Sequence, residues 1–211
     1  MRTPARNAAL LALLTVVGAV LIALGASDMG GTGRSGYPLL MLGLFPALLG
    51  PIGFVYYAKA AGTVRDLRSG RASIARWTMS AEQFEHFRAE DGRLVANGAA
   101  TNFYQLPNAI PAAGVDVIFG DDGVVLGDSY FPLSITRGRR VTRVREVVSG
   151  APFIEFVMML STRARTSNTT MATQRTSYTL RVPVALGAER QAGQVVRRYL
   201  DRLSPAQTFQ R

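Results

Sequence analysis

Residues 8–26, AALLALLTVVGAVLIALGA, and residues 37–58, YPLLMLGLFPALLGPIGFVYYA, contain no charged side chain. At 1.5 Å per residue, helices of these lengths extend about 28 Å and about 33 Å, close to the hydrocarbon thickness of a bilayer, about 30 Å. Tyrosines stand at both ends of the second stretch, as interfacial aromatic residues do. The sequence therefore predicts an N-terminal hairpin of two transmembrane helices over residues 1–58.

Small residues on both stretches predict close packing of the two helices. They are Ala19 and Ala23 on the first helix and Gly43, Ala47, Gly50 and Gly53 on the second. Pro46 and Pro51 each remove a backbone hydrogen bond, so the second helix is expected to be kinked. A cleaved signal peptide is the alternative interpretation, since Ala23-Leu24-Gly25 resembles a small-x-small cleavage site. The length of the first apolar stretch and the second stretch close behind it favour the membrane anchor.

Flanking charge predicts the orientation of the hairpin. Arg2 and Arg6 precede the first helix, several basic residues follow the second between 59 and 76, and the loop 27–36 has one Arg and one Asp. Both termini are therefore expected in the cytoplasm, because basic residues favour that side. Of the 24 Lys and Arg residues, 23 are Arg, which is typical of a GC-rich bacterial genome. We expect a multi-pass protein of the bacterial inner membrane.

The remainder of the chain is predicted to form a connector, one domain and a tail. Residues 59–76 are charged and are expected to be partly helical, with breaks near Gly62 and Gly70. Ser80 and Gln83 fit a capping box that opens a helix over residues 81–90, which Asp91-Gly92 ends. Residues 95–114 are expected to be irregular. The domain is assigned to residues 77–204, and the tail to 205–211.

Alternation with period two begins at Val115 and predicts five or more antiparallel strands. In the last strand, Leu180 is assigned to the core and Arg181 to the solvent side. An amphipathic helix follows, with Leu200 on its buried face and Arg198 and Arg202 in solvent. The predicted elements are strands at 115–119, 124–127, 130–135, 141–148, 153–160 and 175–184 and a helix at 188–203. The fold class is α+β, with a bent sheet or partly open barrel covered by the C-terminal helix.

This order of elements resembles bacterial membrane proteins in which N-terminal transmembrane helices precede a pleckstrin-homology-like (PH-like) domain. The resemblance covers roughly residues 72–203, and it rests on the architecture and on the phrases GVVLG at 123–127, PFIEF at 152–156 and RVPV at 181–184. It implies scaffolding or surface binding rather than catalysis, and it supplies no functional residues.

The acidic and histidine residues predict no catalytic site, metal site or cofactor. His86, the only histidine, lies four residues from Glu82 and from Glu90. This spacing is open to a divalent cation if further ligands join it, but a solvated helix face is the favoured interpretation. Asp121 and Asp122 precede Gly123, where Asp is the expected turn residue. The absence of cysteine excludes disulfides and thiolate metal sites.

A basic cluster is the main candidate for binding. It has no acidic residue before Glu146 and comprises Arg137, Arg139, Arg140, Arg143 and Arg145. One interpretation is a solvated strand end in an arginine-rich chain, whose net charge is +10. The other is contact with anionic phospholipid head groups or an acidic protein partner. Nucleic acid is not expected, because no recognised nucleic-acid module and no aromatic stacking pattern accompany these arginines.

These observations predict a non-enzymatic, membrane-anchored module that presents a β-rich domain at the cytoplasmic face for interaction with lipid or protein, with self-association open. Two alternatives stand beside it. One is an accessory subunit of a larger membrane complex assembled through the hairpin. The other is an enzyme whose site includes the irregular residues 95–114.

Overall fold

The computed structural model describes residues 3–32, 36–107, 110–136, 139–148, 150–165 and 171–203. The chain divides into two compact units. The first ends at Asp66 and includes Asp128–Tyr130, and the second comprises Leu67–Gly127 and the residues from Phe131 onward. The fold is α+β, with two long apolar N-terminal helices and two antiparallel sheets.

The first unit is built on helix α1, Pro4–Thr32, and on most of helix α2, Tyr37–Arg68. Both are long and apolar enough to cross a membrane. Their most apolar windows have mean hydropathies of 2.6 and 2.0, and only 17% and 11% of these windows are buried. The side chains on the outer surface are large and apolar and include Leu10, Leu13, Leu14, Val17, Val20, Leu42, Phe45, Leu48, Leu49 and Ile52.

Glycines bring the backbones of α1 and α2 into contact. A Cβ atom on Gly18 would lie 2.7 Å from the backbone nitrogen of Ala47, and one on Gly43 would lie 2.6 Å from the carbonyl oxygen of Gly18. Gly50 faces Thr15 in the same way, with 2.1 Å from its Cβ position to the Thr15 Oγ1. No larger residue fits these positions without displacing a helix, which is how small residues allow close helix pairs.

Further small residues of the hairpin lie partly as predicted. Gly53 faces Leu11 of α1. Ala19 and Ala23, in contrast, are exposed on α1. The prediction was wrong for these two alanines because the face of α1 that contacts α2 passes through Gly18 and Gly25. Gly18 lies one position before Ala19, and Gly25 lies two positions after Ala23.

After the hairpin, the described chain forms two helices and two sheets. The first sheet has the strand order β1-β2-β3-β4 and the second the order β5-β6-β7. The strands are β1 Ser73–Met79, β2 Val115–Gly120, β3 Gly123–Leu126, β4 Ser129–Pro132, β5 Arg139–Val147, β6 Phe153–Arg165 and β7 Met171–Pro183. Helix α3, Ala81–Ala96, follows β1, and helix α4, Glu189–Leu203, follows β7. The two sheets do not close into a barrel.

Aromatic rings from both sheets and from α4 meet in one core. Trp77 of β1 contacts Phe119 of β2, with ring centroids 5.4 Å apart, and Phe119 contacts Phe156 of β6 at 6.0 Å. Tyr199 of α4 lies against Phe156 at 5.2 Å and donates a buried hydrogen bond of 2.8 Å to the carbonyl oxygen of Gly120. The helix therefore holds the two sheets together by packing and by a hydrogen bond.

Several boundaries differ from the sequence prediction, among them those of the last two strands, since β6 continues to Arg165 and β7 begins at Met171. The helical part of the expected connector continues through Gly62 to Arg68, and a strand, β1, follows it. Ala75, Trp77 and Met79 alternate with exposed residues, and this period of two is the sequence pattern that indicates β1. The charged residues near it favoured a connector in the sequence prediction. The capping box of Ser80 and Gln83 is present as predicted, but α3 passes Asp91-Gly92 and ends at Ala96.

Two side chains differ from the prediction in their burial. Arg181 of β7 is 1% exposed, although the sequence assigns it to solvent. Leu200 of α4 is 43% exposed, although the sequence assigns it to the core. The contact face of α4 is narrower than predicted and has Ala192, Val195 and Tyr199 as its buried residues.

Candidate functional site

A β-bulge sets which arginines of β5 share a face. The register of β5 against β6 shifts between Val141 and Arg143, and the two buried residues Val141 and Val144 are three positions apart. The extra residue reverses the alternation, so Arg140 before the bulge and Arg143 after it both lie on the side away from the core. We call this side the outer face: it carries Arg140, Arg143, Arg145, Glu155 and Arg181.

Arg139 belongs to the opposite side of the sheet. Its guanidinium carbon lies 4.4 Å from the centroid of the Phe103 ring and 4.6 Å from that of Tyr178. Its Nε is buried and has no hydrogen-bond partner among the described residues. A guanidinium held between two rings stabilises the fold through cation–π contact. Arg139 therefore does not join the other arginines of the predicted cluster, and Arg137 lies outside the described residues.

Arg145 is part of an ion network at the covered end of the outer face. Its Nε donates to Glu155 Oε1 over 2.7 Å. The second oxygen of Glu155 accepts a hydrogen bond of 3.3 Å from Arg181 Nε, and Arg181 Nη1 lies 2.7 Å from Asp91 Oδ1. Two guanidinium groups thus balance two carboxylates, and Arg145 contributes no free charge to the outer face.

Residues 100–102 cover this network. Arg181 Nη2 donates to the carbonyl oxygen of Ala100 over 2.7 Å, and the side-chain oxygen of Asn102 accepts from the Arg181 backbone nitrogen over 3.0 Å. Asn102 also donates to the Arg181 carbonyl. Each of these charges has the close hydrogen-bonded partners that burial demands.

Arg140 and Arg143 are the arginines of β5 left open to a partner. Both are exposed, and neither has an ion pair within the described residues. Across the sheet they lie opposite Met159 and Val157 of β6, which are half-buried. Of the four described arginines in the predicted cluster, the structure thus leaves these two available on one face.

The acidic turn between β2 and β3 is tied to α4. Arg198 Nε donates to Asp121 Oδ1 over 2.9 Å, and Arg202 Nη2 donates to Asp122 Oδ1 over 2.7 Å. The hydrogen bond from Arg198 lowers the pKa of Asp121 from its ordinary value of 3.8. The two aspartates lie in a turn, as predicted. Arg198 and Arg202 were predicted to face solvent, but each binds one of these aspartates.

His86 lies on a groove beside the start of α3. The groove has a volume of about 380 Å³ and is lined by Ser80, Glu82, His86, Phe87, Pro152 and Leu186, among others. Glu90, the second carboxylate of the predicted spacing, pairs with Arg93 over 3.4 Å. The described residues contain no group of three His, Asp or Glu side chains placed to hold a metal ion.

Sequence reasoning missed the network of Asp91, Glu155 and Arg181. Its members are separated by 90 and 26 positions along the chain, and each looks like an ordinary solvated residue of its own element. No family model matches the chain, and neither does any curated protein or solved structure.

Proposed function

We propose that the chain is a non-enzymatic, membrane-anchored binding module. In this proposal α1 and α2 cross the bilayer of a bacterial inner membrane, and the second unit is a PH-like domain presented at the cytoplasmic face to lipid or protein. The observation that supports it is the apolar outer surface of the hairpin. A helix that is apolar all round and little buried within the protein requires lipid around it, because water would face a large apolar surface.

The orientation follows from charge. Basic residues flank the hairpin on the side of both termini, while the loop between the helices has one Arg and one Asp. The positive-inside tendency then favours a cytoplasmic domain. The basic balance of residues 59–211, 21 basic against 13 acidic residues or +8, suits a domain held near an anionic leaflet.

A binding role is supported by how the charged groups are used. Asp91, Glu155 and Arg181 saturate one another inside the fold, and Asp121 and Asp122 are tied to α4. These carboxylates therefore serve structure. Arg140 and Arg143 are exposed on a flat sheet face, as an electrostatic contact surface requires.

The alternative of an accessory subunit depended mainly on small residues as an interface with other membrane helices. Gly43, Gly50 and Gly53 are occupied by contacts with α1. The hairpin therefore uses its closest-packing surface internally, which favours the anchored module over assembly through these glycines.

Membrane fractionation of the full chain in a bacterial host tests the proposal. The protein should stay in the membrane pellet after alkaline carbonate and high-salt washes and should dissolve in detergent. A variant with Leu13→Arg and Val17→Arg should lose this resistance, because a charged residue at the centre of a helix costs about 2.5–3.5 kcal/mol on insertion. Leu186→Arg, at an exposed site of the second unit, is the matched control. Release of the parent by carbonate would overturn the anchor.

A further inference from the structure

Strands β6 and β7 continue beyond the N-terminal end of β5. The pairing of β5 with β6 stops at Leu160, whereas β6 and β7 remain paired from Ser161↔Arg175 to Arg165↔Met171. At about 3.4 Å per residue, these five pairs add about 17 Å of two-stranded ribbon. The second sheet therefore extends by this two-stranded ribbon beyond the part that β5 borders.

Cross-strand partners share a face, so the register extends the outer face along the ribbon. Arg140 lies opposite Met159, which lies opposite Ser177. The next pair on the same face is Ser161↔Arg175, and Arg175 is exposed.

The outer face changes character along its length. At its start Phe153 packs beneath Phe87 of α3, with ring centroids 6.2 Å apart. The ion network of Glu155 and Arg181 comes next and is covered. Beyond it Thr179 is still buried, and the other described side chains are half-buried or exposed, with Val157 and Met159 at the centre. The charged side chains at the covered end thus pair with one another, whereas the arginines at the open end have no acidic partner among the described residues.

The open end has no acidic residue to oppose its arginines. Glu155 is the one acidic residue that the register places on the outer face, and two arginines already bind it. From residue 156 to residue 188 the sequence contains four arginines and no Asp or Glu. Within the described part of the chain, Arg140, Arg143 and Arg175 have no ion pair. The open end therefore has a positive charge that no acidic side chain of the described residues neutralises.

A phospholipid surface fits this arrangement better than other polyanions. Arg140 and Arg143 of β5 and Arg175 of β7 share one face of the sheet, where their guanidinium groups can bind phosphate, and a bilayer offers a plane of phosphates. Val157 and Met159 add apolar contact between the arginines. Single-stranded nucleic acid is usually held by stacking on aromatic rings, and the described outer-face positions beyond Phe153 have none.

We infer that the open outer face, from Arg140 and Arg143 of β5 to Arg175 of the ribbon, is a docking surface for anionic phospholipid. The inference rests on the proposed function and deepens it, because it names the partner and extends the surface beyond β5. A basic residue near such a membrane contributes enough attraction for about a fivefold change in binding when it is removed. Two removed together should weaken binding by up to about 25-fold.

The test uses the full chain, held in nanodiscs of neutral phosphatidylcholine. Its binding to separate vesicles is measured by cosedimentation, with phosphatidylglycerol-containing vesicles compared against phosphatidylcholine vesicles. Three single variants remove one positive charge each: Arg143→Gln on β5, Arg175→Gln on the ribbon, and Arg197→Gln on the exposed side of α4, and a further variant combines the first two. Far-ultraviolet circular dichroism confirms that each variant is folded.

The expected result is binding to the anionic vesicles alone, weakened in both outer-face variants and unchanged within about twofold in the α4 variant. Salt should abolish it between about 0.1 M and 1 M, where the screening length falls from about 10 Å to about 3 Å. Loss in the β5 variant without loss in the ribbon variant would overturn the extended surface and keep the proposed site. Equal weakening of binding in all three single variants would mean that binding depends on the net charge of the protein and not on the outer face. Polyglutamate, a soluble acidic polymer, is tested in parallel as a substitute for an acidic protein. If both outer-face variants still bind the vesicles but no longer bind polyglutamate, the face binds an acidic protein. That result would overturn the lipid inference.

Discussion

Arg181 Nη1 and Asp91 Oδ1 lie 2.7 Å apart, and the side chains of both residues are buried. The pair joins the middle of β7 to the last turns of α3, and Glu155 links it to β6. This network fixes the covered end of the outer face, where the sheet meets α3.

Arg181→Met should destabilise the protein by about 3–5 kcal/mol, because it leaves Asp91 and Glu155 buried with less compensating charge. Trp77, the only tryptophan and 6% exposed, reports unfolding in urea by its fluorescence in detergent-solubilised protein. Arg175→Met on the same strand removes an exposed arginine and is the matched control, with an expected change within about 0.5 kcal/mol. Similar midpoints for the two variants would refute the structural role of the network.

Asp121→Asn should lower the melting temperature slightly at neutral pH, because it removes the ionised acceptor of the Arg198 hydrogen bond. The folded-state pKa of Asp121 is depressed by that bond, so the stabilisation is present above the ordinary value of 3.8 and is lost as pH falls through the folded value. Melting curves of parent and variant should therefore converge in acid. A difference that grows as the pH falls would contradict this assignment.

Gly18→Leu should disrupt the hairpin, since even a Cβ atom at this position meets the backbone of α2 at 2.7 Å. Overpacking of this kind typically costs about 1–3 kcal/mol. Ala19→Leu places the same side chain on the exposed surface one residue later and should be tolerated. Thermal aggregation in detergent measures both variants, and equal loss by the two would mean that the helices do not pack through Gly18.

The second unit should fold without the hairpin, and Leu67 should matter to its stability. This residue is 2% exposed and belongs to the second unit, and a Cβ atom on Gly120 would lie 2.5 Å from its Cδ2. A chain of residues 65–211 should therefore be more stable than one of 72–211, by about 1.5–3 kcal/mol for one buried leucine. Urea unfolding of the two fragments measures this, and equal stability would mean that the end of α2 does not contribute.

Local patterns in the sequence predict much of this fold. The two uncharged stretches predict α1 and α2, and the alternation around Leu180 predicts which side of β7 is buried, since Leu180 and Val182 are in the core. The Asp-Asp-Gly turn and the capping box at Ser80 appear where residue chemistry requires them. Such features depend on neighbours within a few positions, which a single sequence displays.

Features that depend on distant partners were not predictable in the same way. Nothing near Arg181 indicates that Asp91 will cover it, and nothing near Arg139 indicates that it will lie between Phe103 and Tyr178. The bulge after Val141 decides that Arg140 and Arg143 share a face, and it is a property of the pairing with β6. The basic cluster was visible in the sequence, but its division between the two faces was not.

The most direct test of the membrane-anchored module is the accessibility of single cysteines. The chain has no cysteine, so Ser27→Cys at the end of α1 and Gln194→Cys on the exposed side of α4 each give a unique label site. In intact bacterial cells, a membrane-impermeant maleimide that has reached the periplasm should label Cys at position 27. It should label Cys at position 194 only after the inner membrane is opened. Labelling at position 194 in cells with an intact inner membrane would contradict a cytoplasmic domain held by two spanning helices.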